Sequence, residues 1–301
     1  MTTRPTHGNT AGAAYLALRK RASQDGRSTA ELIQLYALEG FLARLVASPH
    51  RERFVLKGGA LLAAFDARRP TRDVDLLALR VPDDPDAVRD LIVSVASTTI
   101  DDGLVFALDA TTVEAIRSDD VYPGIRVTLH AALATAKLVF HVDVNVGDPV
   151  WPGPAEIQLP RVLATEPLLV RGYPLPMVLA EKIITAVQRR AATSRWRDFA
   201  DVLLLTRLQA IDGDALDGAM IAVAAHRAQS RALLAEALVD LAEVGRDRWM
   251  RWRRAQRLED RVPEAFAEVL DEVIAFADPA LAGQVESKTW NPTLRRWASK
   301  T

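Results

Sequence analysis

The chain has 301 residues, a net charge of −1, a hydrophobic fraction of 49% and no cysteine. That composition excludes a disordered chain, a uniformly basic nucleic-acid binder, disulfide scaffolding, thiolate catalysis and a cysteine-ligated structural zinc site. No apolar run reaches the roughly 18 residues that cross a bilayer, and the N-terminus holds no signal-peptide centre, so a cytoplasmic protein with no membrane partner is expected.

In chain order, residues 1–10 read as a loose tail. "AGAAYLALRKRASQ" and "TAELIQLYALEGFLARLVAS" have helical spacing, with Leu32, Leu35, Leu38, Phe41, Leu42 and Leu45 on one apolar face. These form N-terminal helices within residues 1–52. From residue 53 the period changes. "RFVLKG" reads as a short strand, "GALLAAFDA" as a helix, "RDVDLLALR" as a second strand, and 86–97 as a helix. Short β-like runs follow: "LVFAL", "TVEAIR", "GIRVTLHAAL", "KLVFHVDVNVGD", "EIQLPRVL" and "LLVRGYPL". Residues 53–170 therefore mix strands and helices. After Pro176 only helical periodicity remains, including a single long run over 230–258, and "ESKTWNPTLRRWASKT" reads as a loosely ordered end. The expected fold class is α/β (α+β): a small mixed sheet with flanking helices, then an all-α bundle over 171–301.

The chemistry is concentrated in "VLKGGALLAAFDARRPTRDVDLL" (55–77). Strand residues two apart share a face, so Asp73 and Asp75 project together, with Cα atoms about 6.6 Å apart at a rise of ~3.3 Å, while Val74 enters the core. Carboxylates this close repel. They converge on one hard cation, or on two cations about 3.5–4 Å apart, and all-oxygen ligation favours magnesium over zinc. Gly58 and Gly59 fall between a strand and a helix, where the missing side chains let a phosphate approach backbone N–H groups. Glycines for phosphate and aspartates for a metal describe a site for a magnesium-bound nucleoside triphosphate (NTP). Either pattern alone is common. Both together, in strand–helix–strand order, are far more specific.

Gly58-Gly59, thirteen intervening residues and then Asp73-Val74-Asp75 resemble the signature of the DNA polymerase β-like nucleotidyltransferase superfamily. Downstream, "LAEKIITAVQRRAATSRWRDFADVLLL" resembles the AbiEii group, the toxin halves of type IV toxin–antitoxin and abortive-infection systems, to which the MenT toxins belong. The resemblance spans residues 30–210. It implies a nucleotidyltransferase sheet over 53–170 and transfer of a nucleoside monophosphate from an NTP to an RNA acceptor, foremost a tRNA 3′ end. It implies growth arrest as the outcome, and a separately encoded antitoxin that need not bind stably. It also implies a third metal-binding carboxylate on a neighbouring strand, for which Asp143 is the best match and Asp148 a loop alternative. By the same resemblance Lys182 supplies positive charge, Asp198 (or Asp201) acts in catalysis, and Arg189 and Thr71 stand at the nucleotide. Lys57 flanks the glycine pair and is a further phosphate contact.

Each residue has a plainer reading: Asp143 on a solvated strand face, Lys182 as a surface ion-pair partner, Asp198 as a helix cap. "RDRWMRWRRAQR" (246–257) interleaves arginine with Trp249 and Trp252. It fits an RNA-contacting helix, or an amphipathic helix with its tryptophans in the core. Two rivals stand beside the toxin: an antibiotic-modifying nucleotidyltransferase and a non-catalytic nucleotide-binding module.

Overall fold

Helix α1 (Thr10–Gln24) starts where the Asn9 side chain accepts the Gly12 N–H, and α2 (Thr29–Ala47) where Ser28 accepts the Glu31 N–H. The computed structural model describes residues 5–116, 124–190, 193 and 195–300. The first four residues of the expected loose tail, and the end of the expected strand at Arg117, therefore lie outside the described residues. The chain divides into two compact units, residues 1–64, 70–147 and 155–172, and residues 65–69, 148–154 and 173–301.

The first unit holds β1 (Phe54–Lys57), α3 (Gly58–Leu61), β2 (Asp73–Ala78), α4 (Pro85–Ala96) and β3 (Leu104–Phe106). It continues with β4 (Thr112–Ile116), β5 (Gly124–Leu133), β6 (Ala136–Val146), β7 (Ala155–Leu159) and β8 (Leu168–Gly172). They form one eight-stranded mixed sheet in the order β3-β5-β6-β2-β1-β8-β7, with β4 also paired to β5. β2 runs parallel to β6 and β1 parallel to β8, and the other pairs are antiparallel. The alternation read from the sequence explains which side is packed. Val74, Leu76, Val127, Leu129, Val142 and Val144 are at most 1% exposed. They share their side of the sheet with the apolar faces of α2 and α4, and Phe41 of α2 meets Phe140 edge-on at 6.1 Å. Asp73, Asp75, His141 and Asp143 alternate with those residues and point to the other face. The helix expected after the glycine pair is one turn, α3, which tightens into a 3₁₀ turn at Leu62–Phe65.

The second unit holds α5 (Leu175–Arg189), α6 (Trp196–Leu208), β9 (Ile211–Asp212), α7 (Gly213–His226) and α8 (Leu234–Ala237). It ends with α9 (Leu241–Ala255), α10 (Phe266–Leu281), β10 (Lys288–Asn291) and β11 (Arg296–Ser299). Two features differ from the sequence reading. The long helical run over 230–258 breaks at Asp240, whose φ is +64°, while the Asp278 carboxylate accepts the N–H groups of Leu234 and Ala235 at 2.7 and 3.2 Å. The expected loose end is a hairpin that joins β9 in a three-stranded sheet, so this unit is helical with a small sheet added. Tryptophan fixes that hairpin: the Trp290 and Trp297 rings pack on Phe276 at 4.9 and 5.3 Å. Trp249 of α9 is fully buried, stacked on Phe266 at 4.9 Å, and Trp252 stacks on Trp249 at 5.3 Å. The core reading is the observed one for Trp249, while Trp252 is half-buried beside it and Arg248, Arg251 and Arg254 of the same helix are exposed.

Candidate active site

The first unit gathers one group of charged residues on the open face of its sheet. Asp75 pairs in register with Lys57 of β1 on one side and with Asp143 of β6 on the other. Asp73, two residues earlier, pairs with His141, whose Nδ1 lies 3.0 Å from Asp73 Oδ1. The Thr71 hydroxyl donates to the Asp73 carbonyl at 3.3 Å, tying down the entry to the strand.

Gly58 lies directly against Asp75. Its φ is +66°, a left-handed backbone that disfavours side chains, and a Cβ there would come within 2.0 Å of Asp75 Oδ2. The Gly59 N–H donates to the same oxygen at 3.3 Å. Gly58 is thus needed for the close approach of the aspartate, a reason that phosphate chemistry alone does not supply. Lys57 closes the strand and is 9% exposed. Asp143 spends both oxygens on Arg126 of β5, at 2.8 and 2.7 Å. That hydrogen-bonded carboxylate holds the guanidinium charged well above its usual range, against the opposing effect of burial. Asp73 and Asp75 are the oxygen donors a hard cation takes. Among the described residues, no three His, Asp or Glu side chains form a group able to hold a metal.

The second unit carries a separate buried ion network. Lys182 Nζ donates to Asp198 Oδ1 at 3.1 Å and to Asp201 Oδ2 at 2.7 Å. Arg195 also binds Asp198, and Arg69 binds Asp201 through Nε at 2.9 Å. Asp201 is 0% exposed and Asp198 4%. Burial pushes the Asp198 carboxyl up, but Lys182 and then Arg195 outweigh it and hold the acid well below the usual carboxylate range. So held, Asp198 is a weak proton acceptor at neutral pH. Its geometry orients Lys182 and Arg195. Arg189 stands in the last turn of α5, and Asp148 Oδ1 lies 3.6 Å from His226 Nε2.

Sequence reading missed Arg126, Arg69 and Arg195. Arg126 occupies an alternating polar position of β5, a visible signal. Only the strand register shows that it meets Asp143.

A family model described as "Nucleotidyl transferase AbiEii toxin, Type IV TA system" matches residues 40–275. Two solved structures from Helicobacter pylori are similar. One, described as a candidate nucleotidyltransferase, has a TM-score of 0.49 at 14% identity and covers 86% of this chain and 98% of its own. The other, JHP933, has a TM-score of 0.48 at 13% identity, covering 86% of this chain and 95% of its own. No curated protein matches the chain.

Proposed function

Because the chain belongs to the AbiEii family of type IV toxin–antitoxin nucleotidyl transferases, we propose that it moves a nucleoside monophosphate from an NTP to an RNA hydroxyl, foremost a tRNA 3′ end, and so arrests growth. The observation that carries this reading is the seating of Asp75 against the Gly58-Gly59 turn, with Asp73 two residues away on the same face. In the reaction, the acceptor oxygen forms a bond to the α-phosphorus, the bond from that phosphorus to the bridging oxygen breaks, and pyrophosphate departs with the electron pair. The hydroxyl proton passes to solvent.

Asp73 and Asp75 are the residues that would hold magnesium, which when bound lowers the acceptor hydroxyl's pKa and neutralises the leaving group. Gly58, Gly59, Lys57 and Thr71 contact phosphates, and Arg189 does so by family resemblance. By family resemblance Lys182 supplies positive charge for the departing pyrophosphate; its ammonium donates to Asp198 and Asp201. The family implies a separately encoded antitoxin. We place the reaction in the cytoplasm, where both substrates are available, and no described helix is long and apolar enough to cross a membrane.

The test incubates the protein with each labelled NTP, magnesium and total RNA. Label enters one RNA size class from a preferred NTP, and Asp75→Ala lowers its rate at least a hundredfold, about 2.7 kcal/mol of barrier. Lys182→Ala also lowers the rate. Label in no RNA with any of the NTPs, or equal transfer by Asp75→Ala, overturns the proposal. Label entering only a small molecule favours the antibiotic-modifying rival.

A further inference from the structure

The open face of the sheet extends well past the paired aspartates. Beyond Asp73 the strand register places His141 and Thr128 in one row, Val139 and His130 in the next, and Lys137 after them. Register partners project to the same side, with strands about 4.8 Å apart, and the four residues from His141 to Lys137 span about 13 Å at ~3.3 Å each. Val105 of β3 continues the last row, since it pairs with Ala132, which pairs with Lys137.

The two faces of these strands differ in cover. Leu129, Phe140 and Val142, on the packed side, are at most 1% exposed, whereas Val139 is 50% exposed and Val105 67%. Lys137 is exposed as well, and Thr128 and His130 are half-buried. An open sheet face that carries imidazole rings among small apolar side chains suits unstacked RNA bases: the rings stack on base planes and a lysine takes phosphate. Charge decides the occupant. Of the open-face positions of β3, β5 and β6 among the described residues, Asp143 is the one acid, and Arg126 forks onto it. Glu114, the acid of β4 in register with Arg126, lies at the same end. The strand positions from His141 to Lys137 carry no carboxylate and finish on a cation. A polycationic antibiotic finds no counter-charge along them, whereas a single-stranded RNA end finds both rings and charge.

Resting on the nucleotidyltransferase reading above, we infer that the single-stranded 3′ end of the acceptor RNA lies along this face of β5 and β6. His130 and His141 stack on its bases, Val139 packs between them, and Lys137 meets a backbone phosphate. The bond from His141 Nδ1 to Asp73, at 3.0 Å, fixes the ring that sets the terminal hydroxyl beside that carboxylate.

Photocrosslinking of the full chain, without NTP or magnesium, tests this. A tRNA carrying 4-thiouridine in its single-stranded 3′ end crosslinks to peptides within residues 128–141. Removing that end weakens binding at least fivefold, the loss of about one stacked base. His130→Ala and, separately, Val139→Glu weaken intact tRNA by a similar factor and leave the truncated tRNA unchanged. His130→Phe, which keeps a ring, binds intact tRNA like wild type. Crosslinks confined to other segments, variants that weaken intact and truncated tRNA alike, or a folded His130→Phe chain as weak as His130→Ala, overturn the inference. The wild-type crosslink map decides even where a variant does not fold. A chain that holds the 3′ end here and transfers no label fails the nucleotidyl-transfer reading and keeps this RNA surface, and a chain that labels RNA while crosslinking its 3′ end elsewhere refutes only this inference.

Discussion

Gly58 and Gly147 make a matched pair at the level of single residues. Both have positive φ, +66° and +89°, but a Cβ on Gly58 meets Asp75 Oδ2 at 2.0 Å while one on Gly147 meets nothing within 4 Å. Gly147→Ala carries the backbone strain alone, about 1 kcal/mol, read by urea unfolding. Gly58→Ala adds a collision that only displacement of Asp75 relieves, so it costs more than Gly147→Ala and also weakens Mn2+ binding. Equal costs with unchanged Mn2+ affinity would show that Asp75 does not rest on the turn. Asp198 gives a pH signature. Its folded pKa lies below its unfolded value near 3.9. The folded chain therefore binds fewer protons, and the stabilisation is present in full above pH ~4 and lost as pH falls through the folded value. Asp198→Asn, which takes from Lys182 one of its two carboxylate partners and from Arg195 its bond to Asp198, lowers stability by about 1–3 kcal/mol at pH 7. The gap to wild type narrows on acidification below pH 4, and a gap constant from pH 7 to 2 would rule out this linkage.

Elements were legible where one periodicity ran between clear stops. β1, β2, β6 and α5 needed only alternation, a glycine pair, a proline or a helical stripe. The failures are places where distant partners override local preference. The 230–258 run is helical by pattern at every step, yet Asp278, far along the chain, claims the N–H groups that a continuous helix would use. The last residues look polar and loose, yet Trp290 donates its ring N–H to the Thr206 carbonyl at 2.8 Å and Trp297 to the Phe276 carbonyl at 3.0 Å. α2 has such a distant anchor too. Arg44 is forked onto Asp102 at 2.6 and 3.0 Å, with side-chain exposures of 4% and 7%. Asp102→Ala leaves a buried guanidinium unpaired and costs about 3–5 kcal/mol in thermal or urea unfolding. Arg44→Met with Asp102→Leu removes both charges and costs clearly less. If the single and double changes cost the same, the pair is not what fastens α2.

For the whole molecule, the two acidic motif residues were legible because they and the glycine pair lie within 18 residues of one another in sequence. Arg126, His141 and Arg69 were not, since only folding brings them to Asp143, Asp73 and Asp201. Charge shows the same division between sequence and fold. A chain of net charge −1 has no overall attraction for RNA, so an RNA substrate must be drawn by a local surface. α9 provides one: Arg248, Arg251 and Arg254 are exposed and, among the described residues, none forms an ion pair, whereas arginines 21, 27, 44, 51, 69, 89, 126 and 171 all do. With Trp249 buried, this surface offers guanidinium charge with no exposed Trp249 ring for bases to stack on. Its binding should therefore be strongly salt-dependent and weakly sequence-dependent. Each phosphate contact adds about 0.7 to the slope of log K against log salt for single-stranded nucleic acid. Replacing all three arginines with alanine, a better helix former, lowers that slope by up to about 2 in anisotropy titrations with labelled tRNA, and the loss of affinity is greatest at low salt. Mn2+ binding by the first unit stays at wild-type level in the same protein, separating a lost RNA surface from a damaged cation site. An unchanged slope would remove α9 from the RNA interface and leave its arginine face for an acidic protein partner.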